Sequence, residues 1–209
     1  MACMDLVERW TRLTGPEARA LGEDLVARYG EPHRRYHTRE HLTSVLDLVD
    51  EFAAHAQDAE AVRLAAWFHD AVYDPERADN EERSAALAER MLTDTDLTPA
   101  RITEVARLVR LTITHAPAPG DRNGQLLCDA DLAILAAPPA AYAAYASAVR
   151  EEYAFVPDEF FKAGRAVVLR GLLELPVLFH TPAARARFES AARHNLRTEI
   201  MLLGDASGA

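Results

Sequence analysis

Apolar residues recur at three- and four-residue spacings along most of the chain, and no apolar–polar alternation runs long enough to suggest a strand. The first spacing gathers side chains on one face of a helix; the second would gather them on one face of a strand. The pattern predicts an all-α fold. A first helix is expected over about residues 3–13, and a second from Pro16 to a stop at Gly30, with proline inside the start and glycine past the end. Thr38 offers an N-cap for a helix to about residue 55, in which His41, Val45, Leu48 and Phe52 share a face. Asp58 can cap the next helix, which carries His69 and Asp70 and ends at Pro75. Asp79 or Asn80 opens a helix to about residue 92. Thr98-Pro99 opens one to about residue 115, with Val105, Leu108, Thr112 and His115 along one side. A turn-rich stretch, 116–124, precedes a short apolar helix, LLCDADLAIL, which Pro138-Pro139 breaks. Helices are then expected over about 140–152, 158–173 and 182–203.

No repeat, low-complexity segment or long linker interrupts this series. Residues 1–209 are expected to form one helical domain, with a core over about 31–135 and the C-terminal helices, 139–203, packed on it.

Against this pattern the polar residues set into apolar surfaces stand out. His69-Asp70 interrupts the run AAWFHDAVY, and burying two ionisable neighbours costs several kcal/mol unless something satisfies them. A single such pair is usually structural, a histidine satisfied in the core and an aspartate at a helix end. Here three more groups accompany it: YHTREH (36–41), with His37 and His41 four apart; His115 at the end of its stripe; and Asp129-Ala130-Asp131 between leucines. A mixed set of imidazoles and carboxylates suits Mn, Fe, Co, Ni or Zn, and with more water ligands Mg.

The order His41, His69-Asp70, Asp131 resembles the HD superfamily of metal-dependent phosphohydrolases. The YHTREH segment is similar to the Tyr-His-x-x-x-His segment of cyclic-nucleotide phosphodiesterases in that superfamily. WFHDAVYDP, DNEERSA, VREEY and ESAARHNL look like a bacterial group of HD-type phosphohydrolases. The resemblance implies an HD-domain helical bundle holding one or two divalent ions on His41, His69, Asp70 and Asp131. It favours Asp131 over Asp129 as the last ligand, because that aspartate typically follows a small residue. It implies hydrolysis of a phosphate ester of a nucleotide or other small metabolite by a metal-activated water, as a mono- or diesterase. His37 is then the candidate acid for the leaving oxygen, since an imidazole titrates near neutrality. Asp70 can bridge to a second ion or orient the attacking water. Two other readings share the residues: a di-iron oxygenase of the same superfamily, and a catalytically idle module that binds a nucleotide.

Other residues have weaker claims. Glu81 falls on the inward side of its helix, where a carboxylate can orient water or contact substrate. His115 and Arg165 are candidates for a second ion or a phosphate, and Asp129 for a carboxylate supporting a ligand histidine. Arg34, Arg35, Arg39 and Lys162 are expected as solvated charges. Tyr142, Tyr145 and Tyr153 are expected in packing, and Glu189, Arg193 and Asn195 in bonds that fix the last helix.

The net charge of -10 disfavours binding to a nucleic-acid polymer by phosphate neutralisation, though not a small phosphorylated substrate beside a metal. The two cysteines, Cys3 and Cys128, suggest no disulfide framework. With no signal-peptide pattern and no apolar run near the ~20 residues that span a bilayer, a cytoplasmic protein without membrane contact is expected. The alanine-rich segment 136–150 suggests a possible homodimer face.

Overall fold

The computed structural model describes residues 5–205; Cys3 and the residues after 205 lie outside them. Among the described residues there are helices and no strands. The α-helices are α1 (Leu6–Thr14), α2 (Arg19–Arg28), α3 (Arg39–Glu51), α4 (Ala59–Phe68), α5 (Asn80–Leu92), α6 (Pro99–Leu111), α7 (Arg122–Leu132), α8 (Pro139–Glu152), α9 (Asp158–Glu174) and α10 (Pro182–Asp205). The chain divides into two compact units, Met1–Ala130 and Asp131–Ala209, and the division falls in the last turn of α7. No single helix among the described residues is long and apolar enough to cross a membrane.

The first unit is built around α4. Of its residues from Ala61 to Phe68, all but Arg63 are buried, so it is apolar nearly all round, as a helix surrounded by others must be. It packs against α3, α5 and α6, and α5 packs along α6. Asp58 caps α4 by accepting from Ala61 N–H at 3.0 Å. Trp10 of α1 meets Trp67 and Phe68 edge-on, with centroids 5.3 and 6.1 Å apart. Its indole N–H donates to Ala18 O at 2.8 Å, closing α1 onto a 3₁₀ turn, Pro16–Ala18. The expected second helix is therefore a short turn followed by α2. Gly22 lies under Trp10, where a Cβ would stand 2.4 Å from the indole, so no larger residue fits.

The buried stripe of α3 is His41, Leu42, Val45, Leu46 and Val49, rotated from the expected face, with Leu48 and Phe52 only partly buried. α7 adds Leu126, Leu127 and Ala130 to the same core. Its N-terminal part is tied to the start of α4, since Asn123 Oδ1 accepts from Gln57 and Asp58 N–H at 2.9 Å each. α7 begins four residues before the expected position, capped by Asp121 on Gly124 N–H at 2.9 Å.

In the second unit, α9 packs on α10, as does the 3₁₀ segment Ala133–Ala136. Asn195 Nδ2 donates to Leu135 O and Ala137 O at 2.8 and 2.9 Å. Glu189 accepts from the N–H groups of Leu178 and Phe179 and pairs with Arg193, which donates to Leu173 O and Leu175 O. These bonds fix α10 in the manner expected. Tyr142 meets Tyr145 edge-on, and Tyr153 packs with Phe155 and Phe161.

Candidate metal centre

The decisive local feature is where α4 stops. The sequence carries the helix through His69 and Asp70 to Pro75, but it ends at Phe68 with His69 as its C-cap. His69 Nδ1 lies 2.8 Å from Ala66 O, the carbonyl that would otherwise accept from Asp70 N–H. Asp70 N–H donates instead to Tyr29 Oη at 3.3 Å. Beyond it, Ala71 N–H returns to Phe68 O, and Val72 N–H donates to Ser84 Oγ of α5. Adjacent residues within a helix diverge by about 100°. The early stop removes that constraint, and His69 Nε2 and Asp70 Oδ2 come within 3.0 Å.

His41, from the first turn of α3, completes the approach. Its Nε2 is 3.1 Å from His69 Nε2 and 3.5 Å from Asp70 Oδ2. Asp131, in the last turn of α7, joins them: His41, His69 and Asp131 each offer a donor atom within 4.8 Å of the others. α7 is continuous up to Leu132, so Asp131 rides on the same helix that places Leu126 and Leu127 in the first unit's core.

The chemistry of this donor set fits a cation. Because His69 Nδ1 faces a carbonyl, which can only accept, Nδ1 carries the proton and Nε2 presents its lone pair. That lone pair faces another imidazole nitrogen and a carboxylate oxygen. Burial raises the Asp70 carboxyl, but when the imidazoles carry protons rather than an ion, positive charge on His69 and His37 and hydrogen bonds from His41 and His69 outweigh it, so the group lies well below the usual carboxylate range. Three electron-rich atoms crowded together repel unless a positive charge lies between them. Ligands about 2.1 Å from an ion and at right angles are about 3 Å apart, the spacing seen between these atoms. His41, His69 and Asp131 thus form a group that can hold a metal ion, with an Asp70 oxygen beside the two imidazoles.

His37 precedes α3, so it does not share a helical face with His41. Its ring is 5.8 Å from that of His41 and 4.2 Å from that of Tyr73, and its charge reaches Asp70. Tyr36 packs against His41 with centroids 4.8 Å apart. The other candidates lie outside the three-donor group. Glu81 is half-buried in the first turn of α5. Asp129 is buried in the middle of α7. His115 has left its helix: α6 ends at Leu111, and His115 closes the end in the left-handed region at φ 49°, its N–H on Leu111 O. Arg165 is engaged within the second unit, bonded to Glu199 and to Tyr145 Oη.

Of the basic residues expected as solvated charges around His37, Arg35 and Arg39 are exposed, and Arg34 is buried. Arg35 donates to Pro32 O and Arg34 O, and Arg39 to Val26 O across Gly30, where a Cβ would meet its guanidinium at 2.3 Å. The Arg34 side chain is fully buried. Arg34 is thus not the solvated charge expected, and Tyr29 gave no signal in the sequence, because neither lies on an apolar helical stripe with the ligands. Lys162, as expected of a surface charge, faces Asp158 on α9 at 3.4 Å. Compared with family models, with curated proteins and with solved structures, the chain matches none.

Proposed function

We propose that the protein is a metal-dependent phosphohydrolase acting on a nucleotide or another small phosphorylated metabolite. The observation that carries this reading is the convergence of His41, His69 and Asp131, with Asp70 beside them, on one point where their lone pairs need a cation. The order of these residues along the chain, which resembles that of HD-type phosphohydrolases, supports the choice of reaction. A divalent ion held there would supply a water of lowered pKa and neutralise charge on the phosphoryl oxygens.

The chain's own groups have separate tasks. His41, His69 and Asp131 hold the ion. Asp70, ionised through neutral pH, accepts a hydrogen bond from the attacking water or adds a ligand oxygen. His37, half-buried beside Tyr73, stands outside the donor group and delivers a proton to the departing oxygen.

The test is metal content, measured by elemental analysis on wild type and His69→Ala, followed by a screen of phosphate esters with the metal found. About one equivalent or more in wild type, lost in the variant together with turnover, is the expected result. Equal metal content in both proteins, or full turnover in the variant, would overturn the assignment.

A further inference from the structure

Asp70 stands on a turn, outside the hydrogen-bond ladder of α4, so its backbone needs other anchors. It has one on each side. Its N–H donates to Tyr29 Oη at 3.3 Å, and its carbonyl accepts from Arg34 Nη1 at 2.8 Å. The same Nη1 donates to His37 O at 3.0 Å, and Nη2 to Ala71 O at 3.4 Å. Tyr29 Oη in turn donates to Trp67 O at 3.2 Å. One guanidinium thus joins the segment before α3, which leads to His37 and His41, to the turn after α4, which carries His69 and Asp70.

The burial of Arg34 is hard to explain by stability alone. A guanidinium taken out of water costs several kcal/mol, repaid only by well-placed partners. Its side chain has no exposure, while its one carboxylate partner, Glu31, is 39% exposed. The rest of its hydrogen bonding goes to backbone carbonyls, and its faces meet the rings of Tyr29 and Tyr73 at 5.2 and 5.4 Å. From this arrangement we infer that Tyr29 and Arg34 are positioning residues: together they clamp the backbone of Asp70 and set its carboxylate and the His37 segment for metal binding. The inference rests on the metal centre proposed above. A lysine cannot replace the arginine, because one ammonium lacks the planar fork that spans carbonyls of two segments.

The test is Mn²⁺ titration of chelator-stripped protein, well below its melting temperature, for wild type, Tyr29→Phe, Arg34→Lys and Trp10→Phe. Tyr29→Phe keeps the buried ring and removes only the hydroxyl. Trp10→Phe is a control that loosens the core without touching the clamp. Mn²⁺ affinity is expected to fall about 10-fold or more in both clamp variants, within the range found when groups supporting metal ligands are removed. The control should melt earlier and bind Mn²⁺ as wild type does. If Arg34→Lys fails to fold, Tyr29→Phe decides alone. Folded clamp variants that bind Mn²⁺ like wild type would overturn the clamp and leave the metal centre standing. Wild type that takes up neither Mn²⁺ nor Zn²⁺ nor Fe²⁺ would overturn the metal centre and the clamp with it.

Discussion

Each unit buries an arginine, and the two are satisfied in opposite ways. Arg165, on α9, faces Glu199 of α10, with both side chains 11% exposed. Burial pulls the basicity of Arg165 down, but Tyr145 and Glu199 outweigh it and hold the group above its usual value. Tyr142 donates to the same carboxylate, and Tyr145 Oη accepts from Arg165. Charge there is matched by charge, and α9 is fastened to α10. Arg34 in the first unit meets a half-exposed carboxylate and spends the rest of its hydrogen bonding on carbonyl groups. A buried charge matched by a carboxylate fixes the two elements that carry the pair. One matched by carbonyls fixes backbone, and through it the direction of neighbouring side chains.

That contrast can be broken by experiment. The largest effect is expected for Glu199→Gln, which leaves the Arg165 charge without its carboxylate and weakens the bond from Tyr142. Removing one partner of a buried pair costs about 3 kcal/mol or more. A fall in melting temperature of about 10 °C should follow for a chain of this length. An unchanged melting temperature would mean that Arg165 is hydrated in solution.

A somewhat smaller effect concerns Tyr29. Burial, ahead of the opposing charge of His69, pushes its phenol up to about 12. The folded value lies above the free value of about 10, so the contribution is intact below pH 10 and is lost as pH rises toward 12. At 1.36 kcal/mol per pH unit, this amounts to at most about 2.7 kcal/mol. Urea unfolding at several alkaline pH values should show a shallower loss of stability in Tyr29→Phe than in wild type. Parallel curves for the two proteins would remove Tyr29 from the account. The smallest effect is expected for Glu31→Gln. Its carboxylate is more than a third exposed and screened by water, so its removal should cost less than about 1 kcal/mol. A loss as large as that for Glu199→Gln would erase the distinction between the two arginines.

The helical fold was readable because its signals are local. Asp58 and Thr98 cap where expected, prolines start α6, α8 and α10, and the all-apolar character of α4 follows from its own residues. His41, His69 and Asp131 were visible as polar interruptions of apolar surfaces, and the structure brings the three together. What stayed hidden depends on contacts distant in sequence. The end of α4 at Phe68 is set by the His69 ring and by Tyr29, 41 residues from Asp70. The burial of Arg34 depends on carbonyls 36 and 37 residues away. His115 continues an apolar stripe in the sequence, yet α6 ends at Leu111 and His115 lies beyond it in the left-handed region.

The depth of α4 has a kinetic corollary. A helix enclosed on nearly every side can open only when the unit around it opens, so its amides should be among the slowest in the chain to exchange with solvent. His69 hangs from the end of that slow element. The segment before α3 is shallower, with His33 and Arg35 both facing solvent. That segment is nonetheless tied to the turn after α4 through Arg34, so the two walls of the site should hold their spacing while the exposed chain around them frays.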